Sequence, residues 1–211
     1  MLMKQRNLPS SIVLYLAWAS AVLFVLYQFL LQTSTSVMVP QLMCDLRVSL
    51  AQVGILSAAF FYPYVILQIP AGLLVDRIGP RKTLIISLSL CIIASGLFGL
   101  SDNNTVAMLS RMLMGIASAP AVVCAMCLAA RWFSPARFGL LAGIVESLGM
   151  IGGALGQYLL SHLVVLFSWR WAMGISAVVA VLLLLMVIFL VRDHATQHDN
   201  QNADDSCQMV N

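Results

Sequence analysis

The chain has 211 residues, of which 61% are hydrophobic and only 9% charged, and its mean hydropathy is +0.96. Soluble domains carry about 25% charged residues, so there is too little polar material here to coat a globule in water, and lipid must surround most of the surface. The formal charge of +3 gives no ground for a nucleic-acid partner.

Crossing the hydrocarbon core takes about 20 apolar residues in helix, and six stretches qualify. The first, 12–38, follows Lys4 and Arg6. It is too long for the apolar core of a signal peptide, about 7–15 residues, and is expected to stop at Pro40. The second, 51–75, ends in the charged run Asp76-Arg77-Ile78-Gly79-Pro80-Arg81-Lys82. The third, 83–100, closes at Ser101-Asp102-Asn103-Asn104, a strong turn signal. The fourth, 105–130, runs out at Arg131 and Trp132, before Pro135 and Arg137. The fifth, 138–167, meets its far interface at Trp169-Arg170-Trp171, and the sixth covers 172–191. Residues 1–11 form a short cytoplasmic N-terminus. Residues 192–211, with Asp199, Asp204 and Asp205 and no apolar periodicity, read as a disordered cytoplasmic tail. The predicted fold class is all-α, a polytopic membrane protein with a six-helix half bundle.

Orientation follows from Lys and Arg near the span ends. With the N-terminus inside, Lys4, Arg6, Arg77, Arg81, Lys82, Arg131, Arg137 and Arg192 face the cytoplasm, and only Arg47 and Arg170 lie outside. Both termini are therefore expected in the cytoplasm, and the plasma (cell inner) membrane is the expected location. The five cysteines, Cys44, Cys91, Cys124, Cys127 and Cys207, are odd in number and follow no disulfide framework. Cys124 and Cys127 form a CxxC without nearby His or acidic ligands. No metal or other cofactor is expected.

The loop Gly72-Leu73-Leu74-Val75-Asp76-Arg77-Ile78-Gly79-Pro80-Arg81-Lys82 resembles the signature GxxxD(R/K)xGxR(R/K) of the major facilitator superfamily, with every specified position filled. Arg111-Met112-Leu113-Met114-Gly115 resembles that family's RxxxG pattern in the fourth helix, and Trp132-Phe133 with Arg137 its inner end. The resemblance implies alternating-access transport, and in the family the signature loop docks against a helix of the opposite half. Two departures stand out. Family members have twelve spans, so this chain is similar to an N-terminal half. Its fifth span reads Leu148-Gly149-Met150-Ile151-Gly152-Gly153, without the proline of the antiporter motif GPxxGG.

Several residues carry candidate roles. In the signature loop, Gly72 is expected to allow close helix approach and Gly79 a positive φ, with Asp76 paired to Arg77 or Arg81 and Lys82 completing a basic anchor. Glu146 lies at membrane depth, where an ionisable group is by default a functional candidate. It shares a stripe with Gly139 and Gly153 at spacing 7, facing protein or cavity, and could exchange a proton. Arg111 either binds an anionic group, carries the coupling role that the family resemblance implies, or snorkels to the outer interface; a direct Arg111–Glu146 pair is not expected. Gln28, Gln32 and Thr35 make a polar stripe on the first span, and Tyr64 and Gln68 another on the second. Each stripe faces either a solvated cavity or a neighbouring helix. Gly139/Gly143, Gly149/Gly153 and Gly152/Gly156 are small-xxx-small pairs that predict close packing. Pro63, Pro70 and Pro120 predict kinks.

The reading is a secondary transporter of a small solute, an organic anion, sugar, amino acid or peptide, with a proton as a candidate co-substrate in symport. Its partners are the bilayer, the solute, and either the missing C-terminal half or a second copy of the chain. The alternatives are a non-transporting membrane fragment or scaffold and, remotely, an intramembrane enzyme. The last lacks a GxS motif and a base beside a nucleophile, so no enzymatic activity is expected.

Overall fold

A computed structural model describes residues 11–191, and among these it forms seven α-helices: α1 (Ser11–Asp45), α2 (Leu50–Ile78), α3 (Pro80–Gly99), α4 (Asn104–Ser118), α5 (Pro120–Trp132), α6 (Pro135–Leu166) and α7 (Trp169–Leu190). With α4 and α5 taken together, six of these are long and apolar enough to cross a bilayer. The predicted disordered tail and the N-terminal ten residues lie outside the described residues.

Local chemistry explains the ends. Ser49 and Gln52 close a capping box at the start of α2, the Ser49 hydroxyl accepting from the Gln52 amide and the Gln52 side chain accepting from the Ser49 N–H. This satisfies two donors that a helix start otherwise leaves orphaned. Asn103 caps α4 by accepting from Val106 N–H at 2.9 Å. Proline occupies the first turn of α3, α5 and α6, where a missing N–H costs nothing. Gly79, with φ 87°, joins α2 to α3 in a conformation that suits glycine.

One expectation needs correction. Pro40 does not end the first span: α1 continues to Asp45. The extra turn is held because Gln41 Nε2 donates to Val164 O at 2.8 Å and Asp45 accepts from Trp169 Nε1 at 2.8 Å. The fourth span, Asn104–Trp132, divides at Ala119 where a kink was expected, because Pro120 has no N–H to continue the ladder. By contrast Pro63 and Pro70 lie inside a continuous α2.

The bundle is organised around α1, which packs along α6 and also touches α5, α7 and α2. Glycine makes the α1–α6 seam possible. A Cβ on Gly152 would come within 2.7 Å of Leu26 O, and one on Gly156 within 2.8 Å of Leu30 Cβ. Gly149 meets the Phe29 ring and Gly153 touches Thr33. A second seam joins α2 and α4, where a Cβ on Gly115 would run into the Phe60 carbonyl. Gly139 and Gly143 do not pack as expected: open space surrounds both, and they line a groove of about 480 Å³ with Ile144 and Ser147.

Much of α2 and α6 remains uncovered by the other helices. Tyr62, Ile66 and Ile69 on α2 and Met150, Tyr158 and Leu159 on α6 are exposed apolar or aromatic side chains. In water this would be a severe penalty; against lipid tails or a second helical body it is not.

Candidate solute site

The one fully buried charged side chain among the described residues is Arg111, midway along α4. Its side chain is fully buried, which rules out snorkelling to the interface. The guanidinium reaches across to α1, where Nη1 donates to Leu31 O at 2.8 Å and to Ser34 Oγ at 3.3 Å, and Nη2 to Gln32 O at 3.4 Å. The Phe60 ring of α2 lies 5.0 Å from its central carbon, within cation–π range. Among the described residues no carboxylate comes within 4.0 Å of it: the ion pairs there join Arg131 to Asp76 and Arg170 to Asp45 and Asp102. Its Nε is buried and finds no acceptor. Carbonyl dipoles thus hold a full positive charge that no neighbouring negative charge balances, an expensive arrangement at membrane depth.

The polar stripe of α1 lies against this cation. Gln28 is fully buried and donates from Nε2 to Gln32 Oε1 at 3.2 Å. One amide hydrogen of the stripe is therefore used within α1 itself. On α2, Tyr64 stacks on Phe60 with ring centroids 5.8 Å apart and lies close to Gln68, Gln28 and Glu146. Tyr64 thereby gathers residues of α1, α2 and α6 around it, and its stacking partner Phe60 is the ring that faces Arg111 of α4.

Glu146 is exposed on the six-helix body, twelfth residue of an α6 that begins at Pro135. It makes no hydrogen bond among the described residues and, as expected, no pair with Arg111. Of its stripe, Gly153 packs on α1 while Gly139 is open.

The signature loop gathers at one end of the bundle. Asp76 pairs with Arg131 of α5 at 3.8 Å, not with Arg77 or Arg81 as expected. The cause is geometric: α5 ends beside α2, while the neighbouring arginines point elsewhere. Arg81 Nη2 donates to Ile188 O at 3.0 Å, satisfying a carbonyl in the last turn of α7, where the helix dipole favours a cation. Arg77 and Lys82 are exposed. Gly72 does not serve close approach within this body, since nothing lies within 4 Å of where its Cβ would be.

At the opposite end is a knot that sequence reasoning missed. Arg170 Nη1 donates to Ser101 O at 2.6 Å, its Nη2 lies 3.5 Å from Asp102, and its Nε lies 4.0 Å from Asp45. The buried Trp169 donates to Asp45, and its backbone N–H donates to Gln41 Oε1 at 2.8 Å. The only advance signal was the Trp-Arg-Trp cluster, which reads equally as an interface belt.

Six apolar helices around a buried cation and converging amides define the body of a polytopic membrane protein. The family model "Major Facilitator Superfamily" matches residues 14–206, and the chain belongs to that superfamily. It is 26% identical over 174 residues to "Probable sulfoacetate transporter SauU" of Cupriavidus necator, covering 82% of this chain and 40% of that protein. It is 25% identical over 142 residues to "Hexuronate transporter" of Bacillus subtilis, covering 67% and 34%. Over 126 residues it is 30% identical to "Probable L-galactonate transporter" of Escherichia coli, covering 60% and 28%. The fold matches the inward-facing, unoccupied structure of a bacterial homologue of the human lysosomal transporter Spinster. There the TM-score is 0.78 at 16% identity, covering 88% of this chain and 44% of that one. It also matches the proton:xylose symporter XylE, with a TM-score of 0.74 at 17% identity, covering 84% and 45%. The chain thus spans less than half the length of these relatives.

Proposed function

We propose that the chain forms one wall of a secondary transporter that moves a small organic anion by alternating access, with both termini in the cytoplasm of a cell inner membrane. The observation that carries this is the fully buried Arg111 with no carboxylate within 4.0 Å among the described residues. A solute carboxylate or sulfonate supplies the missing charge and forms charge-assisted hydrogen bonds with the guanidinium. The relatives named for sulfoacetate, hexuronate and L-galactonate support an anion over a neutral sugar, amino acid or peptide.

Glu146 is the proton carrier of this reading. It is open to whatever faces α6 and acts on Tyr64, which in turn lies against Gln28, so its charge is felt by the polar cluster of this reading. Symport with a proton follows. Gln28, Gln32, Tyr64 and Gln68 line the path, and the loop of Gly72, Asp76, Arg77, Gly79, Arg81 and Lys82 is the gate on the cytoplasmic side.

An opposite wall is required. The uncovered faces of α2 and α6 and the open glycines Gly72, Gly139 and Gly143 suit a second six-helix body, either a C-terminal half or another copy of the chain. Without one, the chain is a non-transporting membrane fragment or scaffold. Uptake of a labelled organic anion into proteoliposomes under an inward proton gradient separates these readings. Accumulation that fails in Arg111→Met, and that loses its dependence on the gradient in Glu146→Gln, supports transport. Wild-type vesicles that take up no more than lipid alone refute it for this chain by itself.

A further inference from the structure

We propose that the acidic segment 193–211 docks on the basic end of the bundle, across the signature loop and the start of α6. The two ends of the described body differ in charge. At one end Arg47 and Arg170 are matched by Asp45 and Asp102, and Arg170 contacts both carboxylates. At the other, Arg77, Arg81, Lys82, Arg131 and Arg137 share a single carboxylate, Asp76, which Arg131 already engages at 3.8 Å. Arg77, Lys82 and Arg137 are exposed there, and among the described residues none of the three enters an ion pair. Five cations against one carboxylate leave an excess of four positive charges. Residues 193–211 carry Asp193, Asp199, Asp204 and Asp205 and neither Lys nor Arg, an equal and opposite charge when His194 and His198 are neutral.

The structure brings the two charges to one place. Arg81 Nη2 donates to Ile188 O at 3.0 Å, so the last turn of α7 stands against the loop, and the acidic segment follows that turn directly. A chain of random-coil dimensions covers about 16 Å between Val191 and Asp199 and about 21 Å between Val191 and Asp205. Neighbouring helix axes lie only about 10 Å apart, so both aspartates reach the loop and the start of α6. One exposed ion pair contributes little. Several together suffice when a short tether holds the local concentration in the millimolar range. Docking covers Arg77 and Lys82, so the segment competes with whatever else the loop binds. Nothing in this depends on Arg111 or on the solute.

Carbodiimide, which joins a carboxylate to an amine in direct contact, tests this on the full chain in phosphatidylcholine nanodiscs, read by peptide mass spectrometry. Lys4 and Lys82 are the only lysines, which makes Lys4 the internal control for unspecific contact. Coupling of Lys82 to Asp199, Asp204 or Asp205 should exceed that of Lys4 to the same residues. Arg77→Gln should lower it about threefold, as should Arg137→Gln, which serves if the first variant fails to fold. High salt should abolish it, while added phosphatidylglycerol should not. Equal coupling of the two lysines, coupling of Lys82 to Asp76 alone, or a yield that neither substitution nor salt lowers would overturn the inference. Loss of the product on adding phosphatidylglycerol would assign the basic end to lipid headgroups and overturn it too.

Discussion

Arg111 and Arg47 show two ways in which a single side chain pays for its position. Arg111 sits where charge is expensive and is stabilised by Leu31 and Gln32 carbonyls and by the Phe60 ring. Its candidacy was legible from its place in an apolar span, but its partners were not, because backbone carbonyls leave no trace in the residue alphabet. Lysine offers one point charge in place of a planar fork, so Arg111→Lys should keep the fold and weaken anion binding by tenfold or more, measured by equilibrium dialysis. Arg47 has φ 52° between the buried Leu46 and Val48, a left-handed conformation that costs a non-glycine residue about 1 kcal/mol. Arg47→Gly should therefore raise the thermal midpoint in detergent, with a gain of about 1 kcal/mol or less, since glycine also gains freedom in the unfolded chain. Gly79 was readable in advance because the loop pattern fixed where a positive φ had to fall.

At the scale of elements, the glycine pairs were partly legible. Spacing alone identified Gly149, Gly152, Gly153 and Gly156, all of which meet α1, but equally predicted packing for Gly139 and Gly143, which face open space. A small-residue stripe states that something can approach closely; it does not state whether the partner lies in the same chain. Gly152→Val should separate α1 from α6, because the clash is with the Leu26 backbone as well as its Cγ, neither of them a movable side-chain end. A loss of about 2 kcal/mol or more should be seen in thermal melts, while Gly139→Val should leave the melt of the chain unchanged. The continuation of α1 past Pro40 was not legible, since it depends on Gln41 and Asp45 finding partners on α6 and α7 more than 120 residues away. Trp169→Phe removes the Nε1 donor to Asp45 and should cost about 1 kcal/mol.

For the molecule as a whole, composition and span count carried the fold class, because hydropathy reports on solvent and six long apolar runs leave little choice in lipid. The signature loop carried the family. What sequence could not show is how the ends are secured: one by Asp76–Arg131 and Arg81 on α7, the other by Arg170 between Asp45, Asp102 and Ser101 O. The exposed Asp76–Arg131 pair is worth little energetically, which suits the gating role proposed for this loop. On the proposed orientation, a cysteine at position 82 in place of lysine should react with a membrane-impermeant maleimide only from the cytoplasmic side.

The most direct measurement is the melting temperature of the purified chain with and without an organic anion, at constant ionic strength, for the wild type and Arg111→Met. A buried guanidinium completed by a bound anion predicts that gluconate raises the midpoint of the wild type, that glucose does not, and that the variant responds to neither. An equal rise in the variant, or no anion effect in the wild type, would contradict it.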